Sequence, residues 1–468
     1  AWGLSASIGD FNNDGWPDVY VCNDFLTPDM LYINNKNGTF SNEILDRMNH
    51  ISFSSMGSDF ADINNDLQPD LLVLEMASED HVRSKQNMAT MNAKSFNNLV
   101  KMNYHHQYMV NTLQANNGNG QFSEIAQMSG IAKTDWSWSP LIADFDNDGF
   151  KDVFITNGIL KEMGNQDFRT KLKATFSDRN RPGFQEVVDM MPSNKIANYS
   201  FKNKGDFTFE NTSTAWGFDA KTQSNGVAYA DFDNDGDLDL AINNINGDAQ
   251  IYQNNDLNNF VQLRLEGGQK NTSALGAKVS ITVNGKKQYQ ELYTSRGFLS
   301  SVQNILNFGI GDATLIDEVL IEWPNQQSTT LLNVEANQII NVNQKNSSPI
   351  ETYEEVIAST FTSIKSSEKG ITFKHEENQF DDYKNQILLP HSQSTNGPFI
   401  DNADVNNDGL NDFFIGGAVG QSGELYIQTR DGNYIKQDSS TWQNDKNYED
   451  LGILFFDFDN DSVFNNFR

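Results

Sequence analysis

The stretch Asp144-Phe-Asp146-Asn-Asp148-Gly149-Phe-Lys-Asp152 is a nine-residue loop, and a β-type run, Val153-Phe-Ile155, follows it. Counting Asp144 as position 1, carboxylates stand at positions 1, 3, 5 and 9, and a glycine stands at position 6. Glycine adopts positive φ at little cost, so the chain can wrap around a point there. The stretch therefore predicts an oxygen-lined turn that leads into a strand.

The same loop recurs along the chain, and we number the five complete copies loop 1 to loop 5 in chain order. In each copy, side chains at positions 1, 3, 5 and 9 and the backbone carbonyl at position 7 are the predicted oxygen donors. The donor residues, from loop 1 to loop 5, are Asp10, Asn12, Asp14, Trp16 and Asp18; Asp62, Asn64, Asp66, Gln68 and Asp70; Asp144, Asp146, Asp148, Phe150 and Asp152; Asp231, Asp233, Asp235, Asp237 and Asp239; and Asp404, Asn406, Asp408, Leu410 and Asp412. A sixth copy begins at Asp457 but has Ser462 at the glycine position. A single copy of this loop is often an ordinary solvated turn. Five copies, each in the same position before a strand, are not expected of ordinary turns.

The spacing of the loops predicts the architecture. Each complete copy enters a β-type run, and further strand signals follow at hairpin spacing, such as the Asn37-Gly38 turn. The starts at residues 10 and 62 lie 52 apart, and those at 404 and 457 lie 53 apart. A repeat of about 50 residues with about four strands is typical of a β-propeller blade.

The chain divides into three predicted segments. Residues 1–259 hold propeller blades interrupted by helical inserts at about 78–111 and 158–195, which are poor in turn signals. Residues 260–344 alternate apolar and polar side chains, carry no acidic loop and predict an additional small all-β domain. Residues 350–468 resume the blade pattern, either completing the first propeller or beginning a second, and stop partway through a repeat. The predicted fold class is all-β.

The donor set of the loops predicts the metal that they bind. Hard oxygen donors in this number suit Ca²⁺, whereas Mg²⁺ demands a tighter octahedron. An EF-hand is rejected, because strands flank the loop and the last acid comes at position 9 instead of 12. Loops 3 and 4 have four acids each and should bind most tightly, and loop 2 should be weak because Leu67 replaces the glycine. We expect four to five structural calcium ions.

Composition excludes several classes of function. Lys+Arg 33 against Asp+Glu 63 gives a formal net charge of −30, which disfavours a nucleic acid partner. No apolar run is long enough for a membrane-spanning helix. The single cysteine, Cys22, excludes a disulfide framework and a multi-cysteine zinc site. No catalytic motif occurs, so we expect no enzyme activity and no catalytic residues.

The loops and their strands resemble the FG-GAP/VCBS repeat that also builds integrin α-subunit propellers. Three stretches, residues 276–298, 306–311 and 319–324, resemble the ASPIC/UnbV domain. Together they resemble the cartilage acidic protein-like family, and more closely its surface-exposed members in Bacteroidota. The resemblance implies a secreted or outer-membrane-associated calcium-binding propeller without established catalytic residues.

These observations predict an extracellular or cell-surface module that binds a protein or a glycan through loops on one propeller face. We expect an internal piece of a longer protein, with any signal for the outer membrane missing from this sequence. Two alternatives stay open: a polysaccharide-acting lyase or hydrolase on a propeller scaffold, and a purely structural surface protein.

Overall fold

The computed structural model describes residues 2–87, 93–177, 182–349, 361–390, 392–438, 442–457 and 465–467. The chain forms two compact units, residues 1–352 and 353–468. Apart from its first residue, Asp457, the incomplete sixth loop lies outside the described residues. The segment boundaries predicted near residues 259 and 344 stay predictions.

The first unit begins with four antiparallel sheets, which we call blades 1 to 4. Blade 1 has the order β1-β2-β3-β4, blade 2 β6-β7-β10-β11, blade 3 β12-β13-β15-β16 with β8 beyond β12, and blade 4 β18-β19-β20. The strands are β1 (Trp2–Gly9), β2 (Asp18–Asp24), β3 (Met30–Asn34), β4 (Phe40–Asn42), β5 (Ile51–Ser52), β6 (Ser58–Ala61), β7 (Asp70–Val73), β8 (Met76–Ala77), β9 (Gln107–Tyr108), β10 (Thr112–Asn116), β11 (Phe122–Glu124), β12 (Asp135–Ala143), β13 (Asp152–Asn157), β14 (Ile196–Ala197), β15 (Tyr199–Asn203), β16 (Phe209–Asn211), β17 (Lys221–Thr222), β18 (Ser224–Ala230), β19 (Asp239–Asn244) and β20 (Gln250–Tyr252). In each blade an acidic loop joins the first strand to the second.

Short helices connect and decorate the blades. They are α1 (Ile44–Arg47), α2 (His81–Gln86), α3 (Ala93–Lys101), α4 (Ala126–Ser129), α5 (Gln166–Ser177) and α6 (Phe184–Met190). The predicted all-β class with helical inserts is confirmed. Among the helices of the described residues, none is both long enough and apolar enough to cross a lipid bilayer.

Neighbouring blades pack face to face through apolar side chains. Position 2 of a loop contributes to each of these cores: Phe11 between blades 1 and 2, Ile63 between blades 2 and 3, and Phe145 between blades 3 and 4. Phe11, for example, stacks on Phe60 with ring centroids 4.0 Å apart. Burying a side chain of this size stabilises the fold by roughly 1.5–3 kcal/mol. The loops are therefore anchored in the hydrophobic cores that they border.

The innermost strands of the blades, β1, β6, β12 and β18, contact one another in that order and form a half-barrel. The described residues do not close it into a complete propeller.

A second set of strands follows blade 4 in the first unit. Its sheets have the orders β26-β21-β29, β23-β22-β27-β28-β30 and β24-β25. The strands are β21 (Asn259–Glu266), β22 (Lys278–Val283), β23 (Lys286–Glu291), β24 (Ser295–Arg296), β25 (Ser300–Ser301), β26 (Leu306–Gly311), β27 (Leu315–Trp323), β28 (Gln327–Glu335), β29 (Gln338–Asn343) and β30 (Ser348–Pro349), with a 3₁₀ turn at Gln344–Asn346. Alternate residues such as Val279 and Ile281 fill a core of their own.

The hairpin of β24 and β25, which we call the central hairpin, contacts all four inner strands of the half-barrel. Gly297 donates its N–H to the Ser58 carbonyl at 3.1 Å. With φ at +66° and the Ser139 hydroxyl 2.1 Å from where a Cβ would lie, this position requires glycine. Arg296 Nη1 donates to Asp59 Oδ1 at 2.8 Å, and both side chains are buried. The hairpin thus fills the concave side of the half-barrel.

The second unit contains one further four-stranded sheet, of order β31-β32-β33-β34, and a short β35-β36 pair. The strands are β31 (Ile400–Ala403), β32 (Asp412–Ile415), β33 (Glu424–Gln428), β34 (Tyr434–Lys436), β35 (Leu454–Phe456) and β36 (Asn465–Phe467), with 3₁₀ turns at Ser366–Lys369, Asp382–Lys384 and Gln443–Asp445. Loop 5 joins β31 to β32, and Phe414 and Phe455 form the centre of a small core.

The buried Arg296–Asp59 pair predicts a large effect of mutation. Arg296→Met leaves the Asp59 carboxylate buried without its cation, which should lower the free energy of unfolding by about 3–5 kcal/mol in urea denaturation. Arg264→Met is the matched control, because Arg264 is an exposed residue of β21 and should change stability by less than about 0.5 kcal/mol. Equal losses in the two variants would contradict the assigned role of the central hairpin.

Candidate metal centres in the acidic loops

Every loop folds around the carboxylate at position 1. In loop 3, Asp144 Oδ1 accepts the N–H of Asp148 at 3.1 Å and Oδ2 accepts the N–H of Gly149 at 2.9 Å. The other four loops make the same two bonds, at 2.9–3.2 Å and 2.6–3.1 Å. The carboxylate at position 5 in turn accepts the N–H of position 7, at 2.8–3.3 Å. These hydrogen bonds hold positions 1, 5, 6 and 7 of each loop together in a tight turn.

The carboxylate at position 9 fixes the loop to the blade. Asp152 Oδ2 accepts the N–H of Phe145 at 3.1 Å, and its Oδ1 accepts the N–H of Asn203, on the third strand of the blade, at 2.9 Å. The aspartates at position 9 are at most 2% exposed. The residues that donate to them are Asn34, Asn116, Asn203 and Gln428, each the last residue of a third strand, and Asn254, which lies two residues beyond β20. These partners were not predicted, although an asparagine recurs at or just after the end of four third strands.

Two residues of each loop adopt positive φ. Position 6 was predicted to do so, and its φ is +85° at Gly15, Gly409 and similar at the other glycines. Leu67 adopts the same conformation, with φ at +70°. Position 4 was not predicted: it is asparagine in all five copies, with φ between +48° and +63°. Asparagine tolerates the left-handed region better than most residues, which accounts for its recurrence there.

Asparagines also connect successive loops. Asn65, at position 4 of loop 2, donates its amide to the Gly149 carbonyl of loop 3 at 2.9 Å. Asn147, at position 4 of loop 3, donates to the Gly236 carbonyl of loop 4 at 3.3 Å. Loop 1 instead contacts the second set of strands, because Lys278 Nζ lies 2.6 Å from Asp10 Oδ2. Loops 2, 3 and 4 therefore form a connected row, and loop 1 is joined to the second set of strands.

Position 3 divides the loops into two kinds. Where it is asparagine, as at Asn12, Asn64 and Asn406, its amide donates to the carboxylate at position 5 at 2.8–3.0 Å. Loops 3 and 4 have Asp146 and Asp233 there, which supply no such donor.

Carboxylates converge most closely in loops 3 and 4. In each loop the acids at positions 1, 3 and 9 offer one oxygen apiece within 4.8 Å of one another. Asp146 Oδ1 is buried and has no hydrogen-bond partner. Burial, together with the neighbouring carboxylates, raises the pKa of Asp144 and of Asp152 well above the usual aspartate range. Such crowding of hard oxygen donors fits a calcium ion, which accepts about six to eight oxygens and would relieve the repulsion.

Asp148 and Asp235 are the predicted ligands at position 5, and the backbone carbonyls of Phe150 and Asp237 are the predicted ligands at position 7. These four ligands stay predictions. The Asp237 side chain accepts the N–H of Asp256 at 2.9 Å. Burial and the nearby Asp235 raise the pKa of Asp237 to about 7. Loops 1, 2 and 5 repeat the same hydrogen-bond framework with one carboxylate fewer.

Antiparallel blades, each with an acidic loop between its first two strands, define a propeller-type repeat protein. The family model for the FG-GAP-like repeat matches residues 10–73, 102–155 and 178–242, and the model for ASPIC and UnbV matches residues 267–349. The chain belongs to the proteins that combine FG-GAP-like repeats with an ASPIC and UnbV domain. The second set of strands in the first unit is that domain.

Other comparisons add little. A search of curated proteins finds no match. Among solved structures, the chain is similar at 11% identity to a lectin from Agrocybe aegerita, described as recognising non-reducing terminal N-acetylglucosamine. The alignment covers 93% of this chain and 80% of the lectin, with a TM-score of 0.26, which carries no argument about fold or function.

Leu67 predicts a simple stabilising substitution. Leu67→Gly should raise the free energy of unfolding by up to about 1 kcal/mol, because glycine adopts φ near +70° without the Cβ strain. Leu67→Ala removes the same apolar side chain but keeps the Cβ, so it should bring no such gain. Urea denaturation in the presence of a chelator measures the free energy of unfolding of both variants. An equal gain in stability in Leu67→Ala would contradict the assignment of backbone strain to Leu67.

Proposed function

We propose that the protein is a calcium-stabilised interaction module that works outside the cytoplasm, at the cell surface or secreted. The convergence of carboxylate oxygens within 4.8 Å in loops 3 and 4 carries the calcium part of the proposal. FG-GAP-like repeats and the ASPIC and UnbV domain are typical of extracellular interaction modules. Extracellular calcium reaches millimolar concentrations, which suit sites of this kind.

The ions would be structural. Position 1 holds the turn and position 9 holds the third strand, so a bound ion would tie together elements of one blade. Position 3 and position 5 would complete the ligand set from side chains, and position 7 from its carbonyl. Ions that bind only the folded state add to its stability by mass action.

Calcium titration tests this part. Calorimetry on chelator-treated protein should show four to five bound ions, and thermal unfolding should shift to higher temperature as calcium is added. Magnesium at the same concentration is the control and should stabilise much less, because its smaller shell fits these loops poorly. Absence of both binding and stabilisation would identify the loops as bare acidic turns.

The ligand of the module is proposed to be a protein or a glycan, and one cavity favours a glycan. It has a volume of about 340 Å³ and lies between blades 3 and 4, where the outer fourth strand found in blades 1 to 3 is absent from the described part of blade 4. Trp216, Phe218 and Tyr252 line it, with the Phe218 and Tyr252 ring centroids 4.9 Å apart. Pockets of this size with aromatic walls and a few polar groups suit small ligands or terminal sugars.

Carboxylates stand beside the aromatic rings of the cavity. Asp146 and Asp256 lie in its wall and can accept hydrogen bonds from sugar hydroxyls. Asp146 also belongs to loop 3, so the wall of the cavity and the proposed calcium site share a side chain. The aromatic faces would contact the apolar faces of a sugar ring.

A glycan array with the wild-type protein and Trp216→Ala tests the cavity. We expect binding of at least one class of glycan in calcium and a loss of about tenfold or more in the variant. Trp2→Ala is the control, because Trp2 is 71% exposed and lies on blade 1, far along the chain from the cavity. Binding that is unaffected by Trp216→Ala would place the ligand elsewhere.

Other outcomes of the same experiment separate the alternatives. Conversion of the bound glycan into shorter products would favour a polysaccharide-acting enzyme. No binding of any glycan or protein partner, with calcium stabilisation intact, would favour a purely structural surface protein.

A further inference from the structure

Loops 3 and 4 carry identical acids at positions 1, 3, 5 and 9 but differ in the side chain that contacts position 3 from the third strand side of the blade. The residue that precedes the asparagine partner of position 9 is Lys202 beside loop 3 and Gln253 beside loop 4. Both reach the aspartate at position 3 of their loop. One neighbour is a cation and the other is a neutral amide.

Lys202 lies among the acids of loop 3. Its Nζ forms an ion pair with Asp146 Oδ2 and lies 2.8 Å from Asp148 Oδ2. The lysine thus contacts positions 3 and 5 together. In the asparagine-containing loops these two positions are joined by the position 3 amide instead. Lys202 therefore supplies the donor that the Asn-to-Asp difference removes from loop 3.

Loop 4 has no equivalent. Gln253 Nε2 donates to Asp233 Oδ2 at 2.6 Å but carries no charge. Gln262 donates to Asp231 Oδ2 at 2.8 Å and is also neutral. Within the described ranges, no ion pair reaches an acid of loop 4. Its four carboxylates have only neutral donors to offset their repulsion.

We propose that Lys202 is a built-in counter-ion that weakens calcium binding at loop 3 and supports that loop without metal, which leaves loop 4 as the tightest and most calcium-dependent site. The proposal rests on the proposed function, because it assumes that the loops bind calcium. The number of acids predicts the same calcium affinity for loops 3 and 4. The contacts of Lys202 are the reason to expect different affinities.

The charge of Lys202 is the physical reason for weaker calcium binding at loop 3. Calcium affinity in oxygen-lined loops rises with the charge of the ligand set, and a fixed ammonium group offsets one of the four carboxylates of loop 3. An incoming ion must share or displace the contacts of Lys202 with Asp146 and Asp148. Without calcium, the same contacts reduce the repulsion that would otherwise open the loop.

Two reciprocal substitutions test the assignment by calorimetry with calcium and by thermal unfolding in a chelator. Lys202→Met should raise the affinity of one site by about tenfold and lower the unfolding temperature of the calcium-free protein. Gln253→Lys should lower the affinity of the tightest site by a similar factor and raise the calcium-free unfolding temperature. Lys204→Met is the matched control, since it removes the same charge from an exposed position two residues away.

The results distinguish this proposal from the proposed function. No calcium binding in the wild-type protein overturns both. Calcium binding whose affinities are the same in Lys202→Met and Lys204→Met overturns the role of Lys202 and leaves the calcium proposal standing. If Lys202→Met fails to fold even in calcium, the Gln253→Lys measurement decides: a weakened tightest site supports the proposal, and unchanged affinities overturn it.

Discussion

The carboxylate at position 1 of each acidic loop is the constraint on which the blades depend. It accepts two consecutive backbone N–H groups, at positions 5 and 6, and this closes the turn between the first and second strands. Position 9 then accepts one N–H from position 2 and one from the third strand. In loops 1 to 3, position 2 also enters the core between blades, so each of these nine-residue loops joins three strands of its own blade to the neighbouring blade.

This framework explains why the loops can differ in charge without differing in shape. Backbone N–H groups donate to the carboxylates at positions 1, 5 and 9 in every copy, so the same hydrogen bonds define the path of all five loops. What varies is position 3 and its surroundings: an amide in loops 1, 2 and 5, a lysine partner in loop 3 and a glutamine partner in loop 4. The shape of the loop is common to the repeats, whereas the charge at position 3 and of its partner differs between them.

Much of this arrangement could be predicted from the sequence, because it depends on residues that are close together along the chain. The loops, their phase, the strands that follow them and the left-handed position 6 all depend on residues within nine positions of one another. Even the strain at Leu67 followed from the pattern, and the structure places that residue at φ +70°. The all-β class with helical inserts followed from the spacing of the repeats.

Other features depend on residues that only the folded chain brings together. Lys202 lies 56 residues beyond Asp146, so no local pattern links them. The Arg296–Asp59 pair joins the ASPIC and UnbV domain to blade 2 and could not be inferred from either repeat alone. The asparagine at the end of the third strand was visible as a recurrence, but its role required the register of the strands.

The central hairpin has a consequence for how the chain acquires its structure. Arg296 and Asp59 are separated by 237 residues, and Lys278 and Asp10 by 268. The blades are synthesised early, whereas the central hairpin that covers their concave side is synthesised much later. Long-range closure of this kind slows folding and prolongs the exposure of unpaired surfaces. In a chain built in this way, the first unit is complete only after the residues of the central hairpin have been synthesised.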